Sequence, residues 1–182
     1  MMKSDKKFYI YSMDYIMRNI IIIALLCAAC VVVRAEEGSV NHYHKKGYIG
    51  NVELTAGATF DTAIAETGVQ TTHGYSYGNG LFTGFGAGCS FRFDAPSNFA
   101  FPAYVDFRYS PVDGGVSPFV DLKLGTIWHL GDEGSGLFVS PSFGLDISRY
   151  SFFIRYQYVS EKYAESAVSP YHYISFGASV SF

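Results

Sequence analysis

Charged side chains are scarce in this sequence, and basic ones are not in excess. Asp, Glu, Lys and Arg make up 16% of the 182 residues, and the formal net charge is −3. Soluble domains usually carry a much larger charged fraction. A chain with no basic excess is not expected to bind nucleic acid. The low charge, with 18% aromatic residues and 19 glycines, instead favours a chain built from strands and turns.

Cysteine is also rare, since only Cys89 of the three cysteines lies beyond residue 35. A lone cysteine cannot form an intrachain disulfide, even in an exported compartment that would permit one. Metal-ligand spacing is lacking as well, because His73 has no second ligand nearby at a useful offset. The sequence therefore predicts no metal site, no cofactor and no catalytic residue.

Long apolar runs are missing except near the N-terminus, where one extends from Ile20 to Val33. Basic residues precede this run, and Val33 and Ala35 stand where signal peptidase reads small residues. The run is too short, and the chain after it too polar, to favour a retained membrane helix. We predict a signal peptide over residues 1–35, followed by a short periplasmic segment over 36–46. The start codon is left open between Met1, Met2, Met13 and Met17.

Beyond residue 46 the sequence alternates between apolar and polar residues almost throughout. In the segment 48–61, Tyr48, Leu54 and Phe60 fall on one face, while Glu53 and Asp61 fall on the other. Tyr48 and Phe60 lie about 40 Å apart along an extended strand, which at a tilt near 40° gives roughly 30 Å of height. That height matches the spacing of two aromatic girdles around an apolar band. This period-two pattern is typical of a transmembrane barrel; a soluble sandwich is the alternative.

Turn signals such as Gly78-Asn79-Gly80 divide residues 47–182 into eight strands. We predict an all-β fold, an eight-stranded antiparallel up-and-down transmembrane β-barrel with both ends in the periplasm. Inward glycines at 84, 86 and 88 leave space for large inward neighbours or for tight coiling of the sheet. The predicted strands cover 48–61, 69–77, 81–93, 104–110, 119–130, 137–148, 152–160 and 172–182. The predicted extracellular loops cover 61–68, 94–102, 130–136 and 160–170.

The last predicted strand ends on an outward aromatic residue. Its outward face carries Ile174, Phe176, Ala178, Val180 and Phe182. Such a strand resembles the signal by which the outer-membrane assembly machinery recognises its substrates. Cys89, between outward Ala87 and Phe91, is likewise expected to face lipid.

Residues 47–182 resemble the small eight-stranded outer-membrane barrels of the OmpA and OmpX type. The segments Thr71–Tyr75 and Ser117–Val120 are similar to those of the outer membrane protein beta-barrel domain family. The resemblance implies a location in the cell outer membrane of a Gram-negative cell. It implies outer-membrane lipid, lipopolysaccharide and the assembly machinery as partners, and it supplies neither an activity nor a surface partner.

Charges of both signs fall on the predicted inner face. An eight-stranded barrel is just wide enough for its own side chains, so we expect these charges to pair and plug the core. A turn at Asp113–Val116 with two glycines of positive φ would set Arg108 opposite Asp121 and Asp106 opposite Lys123. The predicted lumen charges are Glu53, Asp106, Asp121 and Asp146, matched by Arg92, Arg108, Lys123 and Arg155.

The leading functional hypothesis is a non-enzymatic integral outer-membrane protein with a structural or surface-interaction role. A small-solute pore and a lipid A-modifying enzyme are the alternatives. Lipid A deacylases of this shape carry a His-x-Ser pair and a Glu on the lipid face. Here Ser175 follows His172 at an odd offset, which places the two on opposite faces. Acidic residues of the predicted loops are interpreted as a solvated rim rather than a cation site; they are Asp61, Glu66, Asp94, Asp132, Glu133, Glu161 and Glu165.

Overall fold

The structure of the protein is a computed structural model. It describes residues 41–60, 64–93, 99–130, 135–163 and 166–182, with the side chains of 161–169 excepted. The predicted signal peptide and residues 36–40 lie outside these described residues. Among the described residues, no helix has the length and apolar character to cross a membrane.

Eight antiparallel strands close into one barrel in which each strand pairs with its neighbour in sequence. A short 3₁₀ helix, η1, precedes them at His42–His44. The fold class predicted from the alternation is confirmed. The strands are β1 Gly47–Thr59, β2 Ala65–Ser76, β3 Leu81–Arg92, β4 Phe99–Tyr109, β5 Val116–His129, β6 Ser135–Ile147, β7 Tyr150–Tyr163 and β8 Ser166–Ser181.

Pairing between β1 and β8 closes the barrel. The ladder runs from Asn51 opposite Ser181 to Thr59 opposite Tyr173. Phe182 extends it by one step, since its amide donates to the Gly50 carbonyl at 2.8 Å and its carbonyl accepts from the Gly50 amide at 2.9 Å. The first and last strands therefore begin and end at the same rim. We call this rim the periplasmic end and the opposite rim the extracellular end, because an even strand number returns both termini to the periplasm.

The barrel is apolar outside and polar inside, the reverse of a soluble protein. Phe85 is 73% exposed and Leu137 is 67% exposed, whereas the buried set is dominated by serine, threonine and charged residues. A soluble sandwich would bury its apolar face instead. Every strand contributes large apolar side chains to the exterior, among them Tyr48, Val69, Phe85, Phe107, Val120, Leu137, Ile154 and Phe176.

The strands extend further toward the extracellular end than the sequence predicted. β2 begins at Ala65 and β4 at Phe99, while β7 continues to Tyr163 and β8 starts at Ser166. The predicted loops 61–68, 94–102 and 160–170 were therefore too long. Small and polar residues signal turns, but here they continue the ladder because neighbouring strands satisfy their backbone groups.

The turn chemistry predicted between β4 and β5 was wrong, although the register was right. Residues 110–115 form the connection, and neither of its glycines is among the positive-φ glycines of the described chain, which are Gly47, Gly78 and Gly80. Pairing starts at Tyr109 opposite Val120. Pro111 and Pro118 would come next on opposing strands; proline has no amide hydrogen to donate, so the ladder opens there.

Inward glycines make room for rings in the lumen, as the sequence predicted. A Cβ on Gly86 would collide with the ring of Tyr104, and a Cβ on Gly177 would collide with the ring of Phe153. Both rings are buried. The glycines therefore set where large side chains fill the narrow interior.

Candidate functional site

The periplasmic end of the barrel is closed by Tyr43 of η1, which is 2% exposed. Its hydroxyl lies 3.2 Å from the Ser181 Oγ and accepts a hydrogen bond of 3.0 Å from Asn51 Nδ2. The Ser76 hydroxyl donates to the Tyr43 carbonyl at 2.6 Å, and the ring meets Phe82 edge-on at 5.5 Å. This set of contacts joins η1 to β1, β2, β3 and β8, so η1 acts as a plug.

The same short helix is anchored on both sides of Tyr43. The Asn41 side chain caps η1 by accepting from the Tyr43 amide at 2.9 Å. On the other side, His44 Nε2 lies 2.8 Å from the Ser110 carbonyl beyond β4. Partial burial, with Lys45 and Arg149 nearby, lowers the pKa of His42. The rim outside the plug therefore carries the charges of Lys45 and Arg149 beside a His42 that favours its neutral form.

Arg108 and Asp146 form a buried ion pair directly above the plug. The Ser110 and Ser151 hydroxyls each donate to the Asp146 carboxylate at 2.6 Å. The Arg108 guanidinium lies 3.4 Å from the centre of the Phe119 ring, which adds a cation–π contact. Asp146 thus accepts three hydrogen bonds, and its negative charge balances the positive charge of Arg108.

The middle of the lumen holds a central cluster of five charged side chains, Glu53, Asp106, Asp121, Lys123 and Arg155. The Lys123 ammonium lies 2.7 Å from Asp106 Oδ2, 3.0 Å from Glu53 Oε1 and 3.4 Å from Asp121 Oδ2. Arg155 Nη2 lies 2.7 Å from Glu53 Oε2 and 3.5 Å from Asp121 Oδ2. Three carboxyl groups therefore share two cations.

The predicted pairing of Arg108 with Asp121 does not occur as an ion pair. The two residues are opposite each other in the ladder, but Asp121 turns to the central cluster and Arg108 turns to Asp146. The pairing of Asp106 with Lys123 does occur, at 2.7 Å. Sequence register identifies neighbours on adjacent strands, whereas in a narrow barrel a long side chain can also cross the lumen.

The three carboxyl groups of the central cluster have the spacing of a possible cation site. One oxygen from each of Glu53, Asp106 and Asp121 lies within 4.8 Å of the others. The Lys123 ammonium already contacts all three. In this protein the lysine occupies the position that a small metal ion would take.

An apolar layer lies beyond the central cluster, toward the extracellular end. Tyr104 meets the Phe138 ring edge-on at 6.0 Å, and its hydroxyl lies 3.0 Å from Thr72 Oγ1. The layer consists of Ala100, Tyr104, Ile127, Phe138 and Val159, with Tyr171 packed against it.

A second ion pair lies beside this apolar layer. Arg92 contacts Glu66 at 3.1 Å, its guanidinium also binds the Tyr171 hydroxyl, and the Tyr173 hydroxyl donates to the Glu66 carbonyl at 3.0 Å. Glu66 was predicted to lie on a loop rim, but it is a buried residue of β2. All eight predicted lumen charges lie inside the barrel, and among the described side chains Glu66 joins them.

Two histidines lie on the outer face beside tyrosines. Tyr48 OH lies 2.5 Å from His73 Nδ1, and Thr71 Oγ1 lies 3.1 Å from His73 Nε2. Thr71 donates its only hydroxyl hydrogen to the Asn51 carbonyl at 3.0 Å, so it accepts from Nε2–H, and Nδ1 accepts from Tyr48. In this arrangement His73 takes no proton from Thr71, as a catalytic base would have to do.

The second outer histidine, His172, bonds Tyr156 and not a serine. Its Nδ1 lies 2.5 Å from the Tyr156 hydroxyl, and its ring packs on Tyr158 at 5.4 Å. Ser175 is fully buried on the inner face. The expectation that His172 and Ser175 lie on opposite faces is confirmed.

The C-terminal set predicted as an assembly signal is directed outward. Ile174, Phe176 and Phe182 are exposed, and Ala178 and Val180 are half-buried. Cys89 is half-buried and unpaired. The recognition role of the C-terminal set stays a prediction.

A closed barrel of eight strands with an apolar exterior and a filled polar interior defines a small transmembrane β-barrel of the outer-membrane type. The resemblance and the outer-membrane location that the sequence predicted agree with this architecture. No family model and no curated protein matches the chain in sequence.

Solved structures match the fold. The outer membrane enzyme PagL matches with a TM-score of 0.60 and 12% identity, covering 71% of this chain and 98% of that one. Neisserial surface protein A matches with a TM-score of 0.48 and 14% identity, covering 74% and 96%. The N-terminal β-barrel domain of Pseudomonas aeruginosa OprF matches with a TM-score of 0.48 and 11% identity, covering 76% and 100%. At 12% identity the likeness to PagL shows the fold alone.

Sequence reasoning missed the plug and the inward role of Glu66. Tyr43 stands in a polar stretch, His42 to Lys46, that shows no strand alternation. An aromatic residue just before the first strand was the available signal. For Glu66, the signal was its even spacing from inward Gln70 and Thr72.

Proposed function

We propose that the chain is an integral outer-membrane protein without catalytic activity, acting as a structural element or through its extracellular loops. The observation that carries this proposal is the filled lumen. From one end to the other, the lumen holds Tyr43, the Arg108–Asp146 pair, the central cluster and the apolar layer. A lumen filled in this way supports a role for the outer surfaces of the barrel.

The filled lumen argues against a small-solute pore. Lys123 and Arg155 are each 1% exposed, so no water-filled passage reaches the central cluster. Pores line a continuous path with polar groups that ions can reach. Here the charged groups of the central cluster pair with one another, and apolar side chains lie above and below them.

Planar-bilayer conductance of the purified, refolded barrel tests this proposal. We expect no stable unitary steps from the wild-type protein. Steps that are large, stable and abolished by heat unfolding would contradict it. Tyr43→Ala serves as a comparison, because removing the plug ring opens only the periplasmic end and should still leave the central cluster closed.

A lipid A-modifying enzyme is the second candidate, since the PagL structure shares the fold and two histidines lie on the lipid face. Against it stand the buried Ser175 and the Thr71 hydroxyl donating to a carbonyl. Mass spectrometry of lipid A from cells with and without the gene separates the two candidates. A changed number of acyl chains, lost again in His172→Ala or His73→Ala, would establish the enzyme.

Outer-membrane lipid and lipopolysaccharide are the proposed surroundings of the barrel, and the assembly machinery is the proposed transient partner. The apolar exterior supports the first, and the outward C-terminal residues support the second. The chemistry of a surface partner would be set by the loops, whose sequences are rich in acidic residues. Pull-down from intact cells with the folded barrel, compared with a barrel whose loops are replaced by Gly-Ser, tests this part.

A further inference from the structure

The central cluster carries one more negative group than it has cations to match. Among the described side chains, Glu53, Asp106 and Asp121 form ion pairs with Lys123 and Arg155 alone. The other described lumen charges are already paired, Arg92 with Glu66 and Arg108 with Asp146. If all three carboxyl groups were ionised, the closed interior would hold an uncompensated charge, which a low-dielectric site strongly disfavours.

Two carboxylate oxygens in the cluster show where the excess negative charge lies. Asp106 Oδ1 and Asp121 Oδ1 are buried and accept no hydrogen bond, and the two residues are 3% and 5% exposed. They are diagonal neighbours on β4 and β5, since Asp106 is opposite Lys123 and Asp121 is opposite Arg108. Their carboxyl groups belong to the set whose oxygens lie within 4.8 Å.

We propose that Asp106 and Asp121 share one proton, so that the central cluster of the closed barrel binds a proton at neutral pH. The proton resides on the Asp106 carboxyl group and is donated toward the Asp121 carboxylate. Asp106 is the carrier because it accepts only from Lys123, at 2.7 Å. Asp121 accepts from Ser142 at 2.9 Å and faces Lys123 and Arg155 as well, and these donors stabilise its ionised form.

A proton fits this position better than a metal ion does. The Lys123 ammonium already stands among all three carboxyl groups at 2.7 to 3.4 Å, and a metal ion would have to displace it. A proton needs no space of its own, and it converts one of the two crowded carboxylates into a hydrogen-bond donor for the other. With one proton bound, the two remaining carboxylates of the cluster are balanced by Lys123 and Arg155.

No other titratable group near Asp106 can supply the missing positive charge. The charged and titratable side chains around it are Glu53 of β1, Tyr104 and Arg108 of β4, Asp121 and Lys123 of β5 and Arg155 of β7. Gln70 of β2 and Ser142 of β6 bond Arg155 and Asp121 and carry no charge. Of these groups, only the two aspartates combine orphaned oxygens with mutual proximity.

The shared proton makes folding depend on pH in a defined direction. An aspartate in the unfolded chain is ionised above about pH 5, so the folded state binds one more proton than the unfolded state. Stability must then fall as pH rises, and the unfolding constant increases tenfold per pH unit from this group alone. Asp106→Asn replaces a neutral acid by a neutral amide of the same shape, so this variant should lose the dependence.

Urea unfolding in detergent micelles, followed by the fluorescence of Trp128, measures the effect between about pH 5.5 and 8. We expect the ratio of the wild-type unfolding constant to that of Asp106→Asn to rise tenfold per pH unit, and likewise for Asp121→Asn. The double variant Arg108→Gln with Asp146→Asn is the control, because it removes a neutral ion pair and leaves the excess negative charge of the central cluster unchanged, so its ratio to wild type should stay constant with pH. A constant ratio for Asp106→Asn as well would overturn the proposal.

Two further readouts keep the test decisive. Infrared spectra of the wild-type barrel at neutral pH should show the carbonyl band of a protonated carboxylic acid that shifts in heavy water. Absence of that band would overturn the proposal even if the variants do not fold. The unfolding midpoint of the wild type should not depend on the concentration of sodium or calcium at fixed ionic strength. If it does, and if Asp106→Asn loses that dependence, the cluster binds a metal ion and the proposal is overturned.

Discussion

Replacing Asp146 by alanine should destabilise the barrel strongly, because it leaves the Arg108 guanidinium buried without its carboxylate. Arg108 and Asp146 are 3% and 1% exposed, so water cannot take over the lost contact. Ser110 and Ser151 lose their acceptor in the same step. The guanidinium retains the Phe119 ring below it, which offsets only part of the loss.

The magnitude follows from the number and kind of contacts. Breaking a buried ion pair by removing one partner costs about 3–5 kcal/mol, and each serine left without an acceptor adds about 1 kcal/mol. We therefore expect Asp146→Ala to lose about 5–7 kcal/mol of unfolding free energy. The double variant Arg108→Met with Asp146→Leu removes both charges and should lose much less than the sum of Arg108→Met and Asp146→Leu.

Urea unfolding in lipid vesicles provides the assay, with the gel-mobility difference between folded and heat-unfolded barrel as a second probe. Trp128 is the only tryptophan in the sequence and is exposed on the barrel exterior, so its emission reports transfer from lipid to water. Losses that add in the double variant would show that Arg108 and Asp146 are not energetically coupled. The contacts of Arg108 with the Phe119 and Tyr43 rings would then account for the stability of this layer.

Four shorter predictions concern the ends, the exterior and the central cluster. Deleting Phe182, or Phe182→Asp, should lower the yield of folded barrel in membrane fractions while export continues, and Phe182→Leu should assemble normally; equal yields in all three would contradict an assembly role. Cys89 should react with apolar maleimides in the folded barrel and resist charged ones, and fast labelling by a membrane-impermeant reagent would show that its side chain is not in lipid. Tyr43→Ala should cost about 3–5 kcal/mol of unfolding free energy, while Tyr43→Phe should cost only about 1–3 kcal/mol through the unpaired Asn51 amide, as compared by the same urea titration. Lys123→Ala should create a calcium site, because three carboxylate oxygens within 4.8 Å of one another need only small side-chain shifts to lie about 2.4 Å from a central ion; calcium should raise the unfolding midpoint of this variant and not that of wild type.

The barrel and its inside-to-outside assignment could be predicted from the sequence because alternation is a local property. A residue two positions along a strand faces the same side wherever the strand sits. For this reason Glu53, Arg155 and Phe176 are on their predicted faces. The register between β4 and β5 could also be predicted, since the connection is short and adjacent strands fix the counting.

The contacts across the lumen could not be predicted in the same way. Arg108 finds Asp146 two strands away, and Arg155 of β7 reaches Glu53 of β1. These pairings depend on the width of the closed barrel and on side-chain length, neither of which is visible in a period-two pattern. The plug escaped prediction because Tyr43 acts from outside the strands.

The cross-lumen contacts explain why so many charges are tolerated in the interior. Alternation alone does not fix register, because a slip of two residues keeps every side chain on its own face. Such a slip would move Arg155 away from Glu53 and Arg108 away from Asp146, leaving buried charges unpaired. Because unpaired buried charges are costly, the ion pairs favour the one strand register in which the barrel closes with its charges paired. We infer that burying charge here serves a unique strand arrangement more than it adds stability.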